Sequence, residues 1–122
     1  MSLRILNPKI IASAGNKPKE IREYVGRVAS GDAAVSVAKM VSPTGWVEPA
    51  QTPEFDEYTV VLRGALHVTV AGKTEVVNAG QAVHVPRGVK VQYATPGPDG
   101  AEYVAVCLPA FAPGTVHRDV VS

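Results

Sequence analysis

The sequence lacks several features that would otherwise indicate a function. It has a single cysteine, Cys107, so an internal disulfide cannot form. The apolar neighbours Val104, Val106 and Leu108 predict that this thiol is buried and chemically inert. Residues 1–9 lack the long apolar segment of a secretory signal. These features together predict a cytoplasmic protein.

Other absences exclude whole classes of partner and reaction. No apolar run approaches the roughly 18 residues of a membrane span, so we expect no membrane association. The net charge is +1 and no basic stripe carries interleaved aromatic residues, so nucleic acid is not an expected partner. The sequence has no phosphate-binding glycine loop, no serine in a nucleophile elbow and no CxxC pair.

What is present indicates one small all-β domain. The chain has 122 residues, 46% of them hydrophobic, which is enough for a real core. Eleven glycines and ten prolines interrupt it at short intervals, as in proteins built from short strands and turns. We expect an N-terminal arm over 1–32, a barrel over 33–108 and a tail over 109–122.

The predicted strands are short and rich in valine, whose branched side chain suits a pleated sheet. Strands at spacings of roughly 8–12 residues without helices between them predict a sandwich or a barrel. The single predicted helix is Pro18–Val25, where Ile21, Tyr24 and Val25 recur at helical spacing. The predicted strands are Ala33–Val41, Tyr58–Leu62, Leu66–Val70, Thr74–Val77, Ala82–Val85, Val89–Ala94 and Glu102–Leu108.

Residues 45–64 keep the spacing of a known metal-binding motif but not its histidines. The pattern G-x5-H-x-H-x3-E-x6-G places Gly45, Glu57 and Gly64 in register. Its two histidine positions hold Gln51 and Pro53. The segment therefore resembles the first motif of the cupin superfamily, with two ligands replaced.

A second cupin motif follows without a gap. The pattern G-x5-P-x-G-x2-H-x3-N matches at Gly80, Pro86 and Gly88. Its histidine position holds Val91 and its asparagine position holds Thr95. Two motifs in the correct order make the resemblance to the cupin superfamily, also called RmlC-like, a specific one.

The resemblance covers residues 33–108 and implies a small antiparallel double-stranded β-helix, a jelly-roll-like barrel with a pocket at one end. Residues 57–68 are most similar to the ethanolamine-utilisation cupins, which also lack the usual histidines. Proline and valine offer no ligand, and one carboxylate with a glutamine does not hold a divalent transition metal tightly. We therefore predict no metal and no other cofactor.

Five residues are predicted to line the pocket. Glu57 occupies the inward carboxylate position, where it could bind or deprotonate a ligand, or accept hydrogen bonds that anchor the barrel. Gln51, at the first ligand position, offers both donors and an acceptor. Val91 and Tyr93 share one strand face at the lost histidine position. Tyr103 is a further candidate, although both tyrosines are equally compatible with core packing.

His84 is the candidate acid–base partner of Glu57. Alternation puts His84 on the face opposite Val83 and Val85, hence outside the barrel if the valines face the core. If the protein dimerises and the outer face of the sheet is covered, alternation does not decide the orientation, and His84 could still face the pocket. A histidine beside a carboxylate would suit proton transfer near neutral pH. His117 is expected in a solvated tail, unless the tail folds over the barrel mouth.

The resulting prediction is a homodimeric cupin that binds a small polar organic molecule in its barrel. The apolar run over 10–12 and the two-sided apolar strands need cover, which favours the dimer. One alternative is an enzyme with acid–base chemistry such as epimerisation, carried by Glu57 and His84. A second is a metalloenzyme with a rebuilt site of Glu54, Glu57, His84 and water. A third is a structural or accessory subunit of a catabolic pathway.

Overall fold

The computed structural model describes residues 3–120, and that range is almost entirely β-structure. No helix within it is long and apolar enough to cross a membrane. The elements are β1 (Lys9–Ile10), β2 (Glu20–Val25), β3 (Ser36–Ser42), β4 (Trp46–Val47), β5 (Asp56–Val70), β6 (Lys73–Asn78), β7 (Ala82–Val85), β8 (Gln92–Thr95), β9 (Ala101–Leu108) and α1 (Pro113–Val116).

The strands form one antiparallel sheet that curls into a small barrel. Its order is β1-β2-β3-β9-β5-β8-β4, and β6 and β7 also pair with β5. The predicted all-β antiparallel barrel is confirmed. Most predicted strands lie where they were expected, with ends displaced by a few residues.

The long strand β5 organises the barrel because it belongs to two parts of the sheet. Its first half pairs with β7 and β9, and its second half pairs with β6 and β8. A register shift between Val61 and Arg63 bends the strand, and Gly64 follows with a φ of 73°. A Cβ at Gly64 would overlap the carbonyl oxygen of Gly100, so this crossing requires glycine. The two strands predicted around Gly64 are therefore one bent strand.

The helix predicted over Pro18–Val25 is wrong, because this segment forms strand β2. Ile21 pairs with Met40 and Glu23 pairs with Ala38 on the neighbouring strand. A short amphipathic segment has little helical stability of its own, so pairing with a sheet edge overrides a weak helical period. The predicted arm thus contributes two strands, and the one helix in residues 3–120 is α1, in the predicted tail.

The buried residues form two groups inside the barrel. We call the larger one the apolar core, and Trp46 is fully buried within it. The smaller group brings Phe55 and Cys107 against Val116 of α1, so the tail closes this side of the barrel. The apolar core contains Trp46, Val61, Leu66, Val68, Val77, Val85, Val91, Tyr93, Ala101 and Tyr103.

Candidate functional site

A cavity of about 70 Å³ lies inside the barrel, next to the apolar core. A buried water needs roughly 10–15 Å³ of such volume, so the cavity can hold several waters or a small organic molecule. We call it the polar cavity, because ionisable and amide side chains from well-separated segments converge on it. Chief among these are Lys19, Glu48, Gln51, Glu57, Tyr93 and Tyr103.

Lys19 enters the polar cavity from the residue before β2. Its Nζ lies 3.0 Å from Tyr103 Oη, to which it donates, and 3.4 Å from Met40 Sδ. The same ammonium sits 4.0 Å from the ring centroid of Trp46, at cation–π distance. Loss of hydration lowers the pKa of Lys19 to about 8, and the negative charges of Glu48 and Glu57 only partly oppose this shift.

Three carboxyl groups line the polar cavity with Lys19. That of Glu23 accepts hydrogen bonds from the backbone of Val28 and Ala29, whereas those of Glu48 and Glu57 do not. Glu48 follows β4, is buried, and burial raises its pKa to about 7 although the charge of Lys19 lowers it. Burial also raises the pKa of Glu57, again against the opposing charge of Lys19. Tyr93 Oη donates a long hydrogen bond of 3.4 Å to Glu57 Oε1. Near neutral pH this pair of carboxyls can therefore carry a proton as well as a negative charge.

The two tyrosines are fixed hydrogen-bond groups. Tyr103 Oη lies 2.9 Å from Ser42 Oγ and also accepts from Lys19. Burial raises the pKa of both Tyr93 and Tyr103, so both hydroxyls stay protonated. They can therefore orient a ligand or its neighbours but do not act as bases.

The C-terminal tail forms a strap across the cavity mouth, defined here as residues 115–119. Thr52 N donates to His117 O at 3.1 Å and Asp119 N donates to Ala50 O at 2.7 Å, which fixes the strap against residues 50–54. Gln51 is bridged on one side to Val91 and on the other to Arg118. The strap thereby places the exposed Arg118 at the rim of the polar cavity.

Four of the predicted pocket residues come together and one does not. Gln51, Glu57, Tyr93 and Tyr103 all line the polar cavity. Val91 is buried in the apolar core and is not among the cavity-lining residues. Valine at the lost histidine position thus extends the core toward the cavity floor instead of contacting its contents.

His84 lies outside the polar cavity, which corrects its assignment as a partner of Glu57. Its ring stacks on Tyr58 with centroids 4.3 Å apart, and its Nε2 lies 3.8 Å from Asp56 Oδ1. Strand alternation is the reason, because buried Val85 faces the core and its neighbour must face outward. The acid–base pair of Glu57 and His84 is therefore not assembled.

The rebuilt metal site of Glu54, Glu57 and His84 is not assembled either. Glu54 is exposed and its Oε2 lies 2.5 Å from His117 Nε2, outside the cavity. Within residues 3–120 no three histidine, cysteine, aspartate or glutamate side chains gather as a metal site would require. The groups at the four motif positions are one amide, one carboxylate, a proline and a valine. This donor set does not fit a tightly held transition metal.

Lys19 and Glu48 are the functional candidates that the sequence interpretation missed. Lys19, Ile21 and Glu23 alternate with a period of two, and all three line the cavity. Interpreting the segment as a helix concealed this strand signal. Glu48 lies in an acidic, polar segment whose sequence is typical of a solvated loop, and its burial depends on contacts with distant segments that no local pattern reveals.

Comparison with protein families agrees with this architecture. The family model described as "Cupin domain" matches residues 38–107, more than half of the chain. The chain belongs to the cupin family. A solved structure, the polyketide cyclase RemF from Streptomyces resistomycificus, superposes with a TM-score of 0.76 at 23% identity, covering 100% of this chain and 88% of that one. At that identity the likeness shows a shared fold.

Two curated relatives match in sequence. "Endoribonuclease YbeY" of Myxococcus xanthus is 45% identical over 101 residues, which are 83% of this cupin but 34% of that protein. "Acetate kinase EutQ" of Salmonella typhimurium is 37% identical over 54 residues, 44% of this chain and 24% of that protein. This chain thus spans about a third and a quarter of their lengths. A solved structure described as a "putative ethanolamine utilization protein q" from Salmonella typhimurium superposes with a TM-score of 0.67 at 18% identity, covering 88% of this chain and 100% of that one. Together with the second sequence match, it confirms the similarity to ethanolamine-utilisation cupins.

Proposed function

We propose that this cupin binds a small polar organic molecule in the polar cavity. The observation that carries the proposal is the convergence of Lys19, Glu48 and Glu57 on one enclosed space. Buried ionisable groups cost stability unless they are paired or used, and these three keep perturbed pKa values in a cleft. An enclosed, mostly apolar cavity with a few convergent polar groups is the usual form of a ligand site.

The polar groups restrict what the ligand can be. Lys19 and Tyr93 can donate to an oxygen atom, whereas ionised Glu48 or Glu57 can accept from a hydroxyl or an amine. The Gln51 amide can do either. A compact molecule of a few non-hydrogen atoms with a carbonyl or hydroxyl group fits both the volume and this mixture of donors and acceptors.

A panel of small hydroxy, keto and amino compounds tests the proposal by NMR chemical-shift perturbation. We expect saturable shifts confined to cavity-lining residues for at least one class, and their loss in Glu57→Gln. The matched control is Glu102→Gln on the outer face, where Glu102 pairs with Lys39 at 3.1 Å. Shifts that persist unchanged in Glu57→Gln, or that cluster elsewhere, would contradict binding in the cavity.

We further propose that the protein is a cytoplasmic homodimer formed through the outer face of β5. Tyr58, Val60 and Leu62 expose 41%, 42% and 50% of their surface on this face, a contiguous apolar row that a partner copy would cover. Sedimentation velocity should give about twice the chain mass of 12.8 kDa at micromolar concentration. We expect Leu62→Glu to yield monomers, whereas wild-type monomers would refute the dimer.

A further inference from the structure

We propose that Lys19 is a nucleophilic amine that captures a small aldehyde or ketone in the polar cavity as an imine. This inference rests on the proposed binding function and names the chemical class of the ligand. Its basis is the placement of an amine without an ion-pair partner inside a cavity that is also lined by the carboxyl groups of Glu23, Glu48 and Glu57.

Lys19 lacks the ion pair that a lysine with a purely structural role in the cavity would need. Within residues 3–120, no carboxylate oxygen lies within 4 Å of its Nζ. Its neighbours are the Tyr103 hydroxyl, the Met40 thioether and the Trp46 ring. Lys19 is half-buried, and its ammonium is drawn into the cavity without a paired carboxylate. Lysines that form Schiff bases are typically desolvated in this way. The environment therefore favours a reactive amine over a structural cation.

The protonation equilibrium supports the same role. With a pKa of about 8, Lys19 has a neutral fraction of roughly one tenth at pH 7, while an exposed lysine has well below one thousandth. Only the neutral amine has a lone pair to donate. At neutral pH the neutral fraction at Lys19 therefore exceeds that of the surface lysines by a factor of about 100 or more.

The step balances with groups already in the cavity. The Nζ lone pair attacks the carbonyl carbon, the C–O π electrons move to oxygen, and a proton transfer gives the carbinolamine. Protonated Glu48, whose pKa is about 7, supplies the proton that lets this hydroxyl leave as water. The C=N bond forms as water departs, and the nitrogen proton returns to the carboxylate. The net change is amine plus carbonyl to imine plus water, with no redox change.

Reductive trapping tests the proposal directly. The protein is incubated with glycolaldehyde and cyanoborohydride at pH 7, and hydroxyethylation of each lysine is followed by peptide mass mapping. We expect Lys19 to be labelled at least tenfold faster than Lys17, whose Nζ donates to Thr44 O at 3.0 Å on the surface. Equal or slower labelling of Lys19 would overturn the proposal, and this outcome needs no variant to fold.

Variants separate this inference from the binding function. Lys19→Arg keeps a cation but cannot form an imine, so the fast labelling should vanish, whereas Lys17→Arg should keep it. If glycerol and glycolate still shift cavity signals while Lys19 is not trapped, the cavity binds ligands and the Lys19 proposal is refuted. If neither binding nor trapping occurs, both proposals are refuted. Fast trapping at Lys19 that glycerol slows would support both.

Discussion

Two positions on the inner face of β5 show how differently the two parts of the barrel interior are built. Val61 is fully buried in the apolar core and pairs with Tyr103 on β9. Thr59, two residues earlier and equally buried, lines the polar cavity and pairs with Ala105. Both side chains point inward by the same alternation. Neighbouring inward positions of one strand therefore contribute to the core and to the cavity wall.

The apolar core stabilises the barrel, whereas the polar cavity costs stability. Apolar side chains in the core gain roughly 25 cal/mol for each Å² removed from water. The polar cavity instead holds Lys19, Glu48 and Glu57, which are partly desolvated and, within residues 3–120, form no ion pair within 4 Å. A cavity that served only the fold would be more stable filled with apolar groups. This contrast favours a role for the polar cavity outside folding.

The largest expected effect comes from truncating Trp46, which belongs to the apolar core and also lines the polar cavity. Trp46 is fully buried, lines the polar cavity, and donates its indole N–H to Ala14 O at 3.0 Å. Trp46→Ala should lower the free energy of unfolding by about 3–5 kcal/mol in urea denaturation, since it leaves a large void. Trp46→Phe should cost clearly less. If Trp46→Ala lowers the free energy of unfolding by less than about 1 kcal/mol, the indole ring does not contribute to stability as a buried core residue.

A metal site built from one cavity-lining residue, Gln51, and one core residue, Val91, would sharpen the contrast further. Gln51 and Val91 are directly bridged across neighbouring segments, so their side chains share a face near Glu57. The double variant Gln51→His and Val91→His should raise Ni²⁺ or Zn²⁺ affinity by roughly 100-fold, about 2.7 kcal/mol, by restoring nitrogen ligands. Calorimetry measures the affinity.

The same reasoning predicts the metal content of the natural protein. Purified without added metal, it should contain well below one equivalent of iron, manganese, nickel or zinc by elemental analysis. A stoichiometric metal that survives chelator dialysis and is lost in Glu57→Ala would contradict this expectation. For the variant Gln51→His with Val91→His, the control is Thr69→His with Thr74→His. It places two histidines on an exposed cross-strand pair of β5 and β6, outside the cavity.

A smaller effect should appear in the pH dependence of stability. Folding raises the pKa of Glu48 from 4.5 to about 7, so this group's stabilising contribution is complete below pH 4.5 and is lost as pH rises through 7. Glu57 acts in the same direction. Lys19 has a lowered pKa of about 8, so its unfavourable contribution is relieved only as pH rises above that value.

The wild-type free energy of unfolding should therefore fall by roughly 1–3 kcal/mol between pH 5 and pH 7.5, since one pKa unit corresponds to about 1.4 kcal/mol. Glu48→Gln should flatten this slope in urea titrations at several pH values. Glu102→Gln, which removes a surface carboxylate, should leave the slope unchanged. A slope that is identical in all three proteins would show that Glu48 is not a perturbed buried acid.

The fold could be predicted well from sequence because its signals are local. Glycine and proline spacing marked the turns, and the register of two motifs identified the cupin frame and placed Gln51 and Glu57. The cavity could be predicted only in part. Lys19 was missed because six residues cannot distinguish a docked strand from a weak helix without the neighbouring strand. Glu48 is buried and Arg118 reaches the cavity rim only because β2 and the strap, which are distant in sequence, pack against the barrel.

The most direct test of the comparison is to exchange the residue types at Thr59 and Val61. The smallest effect of all is expected at Thr59. Val61→Thr puts a hydroxyl into the apolar core, where it finds no partner, and should cost about 1–3 kcal/mol. Thr59→Val replaces a hydroxyl by a methyl group at the cavity wall. It should change stability by less than about 0.5 kcal/mol, because Thr59 lines the cavity and is not packed within the apolar core. Urea denaturation of both variants measures the difference. Equal costs at the two positions would mean that the cavity wall is packed as tightly as the core, leaving no room there for a ligand.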